Sequence, residues 1–128
     1  MALNRNVGLR GLTYAGGGPM LAWVLHRISG LGIIIFVSIH VLAGFSTHVV
    51  GSAWGDPVNR IYESLPFQIF ILFCVLYHAL NGLRIVLLDF WPRMLEHQRL
   101  AIYLQWAIFI PIFGLSVFLM IRSALASG

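Results

Sequence analysis

Histidine is the side chain best suited to ligate iron or move a proton near neutral pH, and three of the five in this sequence recur at helical spacing in one apolar stretch. His26, Gly30, Ile33, Val37, His40, Gly44 and His48 follow one another at intervals of three or four, and so share one stripe of a helix. A second stretch repeats the pattern with His78, Gly82, Ile85 and Asp89. In both, a His is followed one turn later by Gly. A neutral imidazole is an axial ligand for haem iron, and a residue without a side chain at i+4 leaves room for the flat macrocycle. Two plainer readings stand beside this one: Gly lets membrane helices pack closely, and an intramembrane His can hydrogen-bond across helices.

Around these histidines lie other groups with chemistry. His26 and Arg27 are adjacent and followed by Ser29. Arg27 can hold an anion, such as a haem propionate or the partial negative charge of a quinone oxygen, or it can snorkel to lipid headgroups as an anchor. Arg84 and Asp89 have the spacing of an interfacial pair. His48 falls near the end of its stretch, where an interfacial position is expected, and His97 sits with Glu96 and Arg99 in a charged loop. Cys74 lies inside an apolar run and reads as a small buried side chain.

The elements that position these groups follow from composition. Of 128 residues 59% are hydrophobic and 9% charged, with a mean hydropathy of +0.89. An ordinary soluble domain carries about a quarter charged residues, so the solvent is lipid. The net charge of +4 comes from scattered arginines, not from the solvated basic face of a nucleic-acid binder, so no nucleic-acid partner is expected. Charge-free intervals run from 28 to 55, 64 to 83 and 100 to 121. Each is long enough to cross about 30 Å of hydrocarbon as a helix.

The expected fold is an all-α membrane protein, one transmembrane domain over 1–128, with helices at about 27–50, 65–88 and 101–123. The Gly-rich stretch at 16–19 reads as a loop, and the first apolar run is too long for a signal-peptide core, so the N-terminus is expected to be retained. Residues 51–64 read as a turn-rich loop with Trp54 and Tyr62 in an interfacial belt. Arg5, Arg10, Arg27, Arg84, Arg93 and Arg99 against Arg60 and Arg122 place the N-terminus and the 89–100 loop in the cytoplasm. The third helix departs from apolar character only at Gln105, Pro111, Gly114 and Ser116, and reads as structural.

Depth bears on whether His40 and His78 share an iron. With Arg27 and Arg84 as the cytoplasmic boundary, His40 lies about 20 Å in and His78 about 9 Å in; with Asp89 as the second marker the stagger is about 3 Å. Either way each His needs an opposite ligand from another chain. Three helices with short loops leave no room for a catalytic domain, so the chain reads as one subunit of a larger assembly.

Two motifs carry a family resemblance: Leu25-His26-Arg27-Ile28-Ser29-Gly30, and Tyr77-His78-Ala79-Leu80-Asn81-Gly82-Leu83-Arg84 followed by Asp89. In order, spacing and three-span layout the chain resembles the cytochrome b556 membrane-anchor subunits of succinate dehydrogenase. The resemblance implies a helical bundle shared with a second small anchor subunit, which attaches flavoprotein and iron–sulfur subunits to the cytoplasmic (inner) membrane. It implies that His78 is an axial ligand of haem b, with the opposite ligand on the second anchor. It further implies that His26, Arg27, Ser29 and Gly82 lie near the haem propionates and a quinone pocket, and that His40 is the candidate ligand of a second haem, as in two-haem relatives. Some members have Ser four residues before the motif Arg, where this chain has Trp23, and a His after the second-helix Arg, where this chain has Ile85. The alternatives are a haem-free anchor or assembly subunit, and a proton-conducting transporter subunit that uses the His stripe as a relay.

Overall fold

The computed structural model describes residues 17–51 and 53–126. They form four α-helices and no strand: α1 Gly17–Phe45, α2 Gly55–Glu63, α3 Leu65–Phe90 and α4 Gln98–Ala126. The last turn of α1 widens into a π-helical turn at Ser46–Val50, and a 3-10 turn, Pro92–His97, joins α3 to α4. Three segments, 17–50, 65–90 and 92–126, are long and apolar enough to span a membrane.

The three expected spans are all present, with different ends. The first helix starts at Gly17, not near Arg27, so the expected loop at 16–19 is, over its described part, the first helical turn. Pro19 is compatible with that position because the first backbone N–H groups of a helix have no intrahelical acceptor. A charge marks where lipid becomes unfavourable, whereas the helix continues through the apolar turn Met20–Leu25. Arg5 and Arg10 lie outside the described residues. At 1.5 Å per residue the 34-residue segment is about 51 Å long, more than the hydrocarbon requires.

The expected loop at 51–64 is corrected as well. Gly51, at φ 71°, closes α1 by donating its N–H to the Ser46 carbonyl. Asp56 and Pro57 then occupy the first turn of α2, where an acid suits the helix dipole and proline costs no hydrogen bond. A methyl group on buried Gly55 would run into the Thr47 hydroxyl and the Ala43 carbonyl, so α2 lies directly against α1. Tyr62 on α2 ties this helix to the bundle: its hydroxyl donates to the Phe36 carbonyl at 2.6 Å, and burial pushes its phenol above the usual pKa.

Helix α3 is central and packs against both α1 and α4. Small side chains on α1, Ala22, Ser29, Ala43 and Ser46, are buried and let the backbones approach. Between α3 and α4 an aromatic cluster of Phe73, Tyr77, Trp106, Phe109 and Phe113 packs, mostly edge-to-face, at centroid separations of 5.3–5.9 Å. At the other end, Phe36 of α1 meets Phe67 and Phe70 of α3 edge-on. Most large apolar side chains point outward, including Ile34, Val49, Tyr103 and Leu125. Such a surface fits lipid and neighbouring membrane subunits, and not water.

Candidate functional site

The two motifs meet face to face. The His26 and His78 rings stack with centroids 4.0 Å apart and planes within 7°. His78 Nδ1 is 3.1 Å from the His26 carbonyl oxygen and 3.4 Å from Ser29 Oγ. A carbonyl only accepts, so Nδ1 carries the proton in this hydrogen bond. The Ser29 hydroxyl donates to the same carbonyl at 3.0 Å, which leaves its oxygen to accept a weaker share of the Nδ1–H bond. The remaining nitrogen, Nε2, then keeps an in-plane lone pair. This is the arrangement that orients a metal-ligating imidazole: one nitrogen tied to a carbonyl, the other free to ligate. Stacking covers the face of the ring and not the edge that carries the lone pair, so the donor set fits an axial haem ligand.

The glycines serve this contact in a way that their spacing alone does not show. A Cβ on Gly30 would stand 2.8 Å from His78 Cε1 and 3.1 Å from Nδ1. The room opposite Gly30 is thus taken by the imidazole of the neighbouring helix. A Cβ on Gly82 would meet only His26 Cε1, at 3.6 Å, an ordinary contact. Each His therefore lies beside the Gly that follows the other His, as antiparallel helices in this register require.

That register resolves the depth question. His78 lies opposite Gly30, and His40 lies ten residues further along α1, about 15 Å by helical rise. In this register Arg27 and Arg84 fall within about one turn of the same level, whereas Asp89 lies about 12 Å from the level of Arg27. One iron cannot take both His40 and His78. His40 is exposed and stacks against Tyr62 at 5.1 Å, beside a groove of about 200 Å³ lined by Phe36, Ile71 and Val75. His48 and His97 are exposed, and Arg84 and Asp89 do not pair. Among the described residues no cluster of three or more His, Cys, Asp or Glu side chains could hold a metal ion by itself.

Arg27 is exposed, with its guanidinium carbon 4.0 Å above the Trp23 ring. The stack uses the face of the guanidinium and leaves its in-plane N–H donors directed outward. Trp23 thus takes up the position one turn before the motif Arg as a platform for it.

Sequence reasoning missed three residues here. Tyr77 and Asn81 on α3 are fully buried and Gln105 on α4 nearly so. The signal was present, since uncharged polar side chains in apolar spans are costly unless engaged, but no spacing shows that Gln105 faces Asn81's helix.

The model of the succinate dehydrogenase/fumarate reductase transmembrane subunit family matches residues 1–121. The chain belongs to that family. It is 34% identical over 100 residues to the succinate dehydrogenase 2 membrane subunit SdhC of Mycobacterium tuberculosis, covering 76% of this chain and 73% of that protein. It is also 34% identical over 71 residues to the succinate dehydrogenase hydrophobic membrane anchor subunit of Archaeoglobus fulgidus, covering 54% of this chain and 61% of that one. The chain is accordingly a membrane anchor subunit of succinate dehydrogenase, as its two motifs led one to expect.

Proposed function

We propose that this anchor is the haem b-containing subunit of a succinate:quinone oxidoreductase (respiratory complex II), and that it serves electron transfer from the iron–sulfur subunit to quinone. The observation that carries the reading is the His78 imidazole, whose Nδ1–H is committed to the His26 carbonyl while Nε2 is left to ligate. His78 would hold the haem iron together with a ligand from a second small anchor subunit. Haem, when bound, supplies a one-electron carrier within the membrane.

The chain's own residues orient and charge the site. His26 holds the His78 ring by stacking and through its carbonyl; Ser29 shares that hydrogen bond. Gly82 keeps the neighbouring turn free of side chain. Arg27 presents N–H donors and a positive charge towards a haem propionate or a quinone oxygen, and so favours the negative charge that develops when quinone is reduced. Succinate oxidation belongs to the flavoprotein subunit. The distribution of arginines supports a multi-pass subunit of the cytoplasmic membrane, with the N-terminus and the Pro92–His97 turn cytoplasmic and the C-terminus outside. His40, beside its Tyr62-lined groove, remains the candidate ligand for a second haem.

The test is a reduced-minus-oxidised spectrum of the intact detergent-purified complex with succinate as sole electron donor. A b-type haem α band that appears on adding succinate and decays on adding quinone is expected. An active complex with no haem absorbance would overturn the haem assignment and leave a haem-free anchor.

A further inference from the structure

Among the described residues, four side chains hold every buried side-chain nitrogen or oxygen without a hydrogen-bond partner: His26 Nδ1, both amide atoms of Asn81, Arg84 Nε and both amide atoms of Gln105. They are not scattered through the bundle. Tyr77, Asn81 and Arg84 stand at i, i+4 and i+7 on α3, a single stripe. Asn81 is three residues from His78, whose ring stacks on His26, and Gln105 lies beside the Tyr77 hydroxyl, which itself donates to the Ala22 carbonyl at 3.4 Å. All the unpartnered polar atoms thus fall in one layer, where α1, α3 and α4 meet at the depth of the stacked histidines.

Asn81 is completely buried and Gln105 is 6% exposed, so another subunit cannot reach the Asn81 amide without parting the helices. In a lipid-spanning bundle such amides need partners, because no bulk water is present to replace them. Each offers two N–H donors and a carbonyl acceptor, a demand that a small molecule able both to donate and to accept can meet. Two of the four side chains reach a groove on the bundle surface. Arg84 and Gln105 line this groove of about 220 Å³ between α3 and α4, which runs by Leu87 and Leu88 to Met94 in the 3-10 turn.

We propose that this layer is a bound-water site. Ordered water bridges the Asn81 and Gln105 amides and reaches Arg84 Nε and His26 Nδ1, and it exchanges through the groove beside Met94. Water can donate to the amide oxygens and accept from their N–H groups, which completes the hydrogen bonding of atoms that have no well-formed partner within this subunit. The Asn81 and Gln105 core of the site depends on neither the haem nor the quinone reading.

Its test is a cryo-EM structure of the intact complex in lipid nanodiscs at a resolution that shows water. Density about 2.7–3.2 Å from both amides is expected. A dry layer with the Asn81 and Gln105 amides bonded to each other would overturn the proposal. Hydroxyl-radical footprinting of the same complex gives a second readout, since radicals generated in place oxidise buried side chains next to bound water. Tyr77 labelling should fall at least threefold in an N81L/Q105L complex of normal subunit content, while equal labelling would count against the water site.

Discussion

Replacing Arg27 with Ala is expected to slow quinone reduction by the assembled complex about a hundredfold, while succinate oxidation measured with a soluble dye stays at the wild-type rate. The magnitude is that of removing one preorganised donor from a developing negative charge. Arg27 is suited to the role because its guanidinium face rests on Trp23, which fixes the group and leaves the N–H edges free. Arg27→Lys retains the charge but neither the planar fork nor the stack, and should recover only part of the activity. Loss of both activities in Arg27→Ala would indicate failed assembly and would contradict a role at the quinone. Unchanged quinone reduction would reduce Arg27 to a topology anchor.

Gly30→Ala is expected to be the most damaging single-methyl change in the chain. Its Cβ would approach His78 Cε1 to 2.8 Å, and the imidazole cannot retreat because the His26 ring lies 4.0 Å away and Nδ1 is tied to a carbonyl. Overpacking of this kind typically costs about 1–3 kcal/mol. Here it acts on the proposed ligand, so the complex should lose most of its haem and melt at a lower temperature. Gly82→Ala is the control: its methyl meets only His26, at 3.6 Å, and should leave the melting temperature unchanged. Full haem content and unchanged melting in Gly30→Ala would show that His78 is not held in this position.

The contrast between the two glycines shows what the sequence could and could not convey. Both stand four residues after a His, and periodicity places each on the face of its own His. Periodicity does not say which residue of the neighbouring helix lies opposite, so the spacing alone suggests room for a macrocycle at Gly30, where the structure has the His78 ring. The three spans were legible because a charge-free stretch of 20 residues has few other uses. Their ends were not, since Arg27 limits the lipid-facing stretch but does not break a helix. For the same reason Gly51, Gly55, Asp56 and Pro57 suggested a loop: the residues that make turns also start and stop short helices, and α2 is held by packing on α1 and by the Tyr62 hydrogen bond. The candidate site itself, His26, Arg27, Ser29, His78 and Gly82, was legible from two motifs. The polar layer of Asn81 and Gln105 was not, because it depends on how α4 is rotated against α3.

The central claim is that His78 ligates haem in this anchor. It is tested most directly by the pyridine haemochrome of the purified complex beside that of its His78→Ala variant, each checked for a full set of subunits. The account predicts that the variant holds one haem fewer per complex than the wild type; equal haem in both, or none in the wild type, would contradict it.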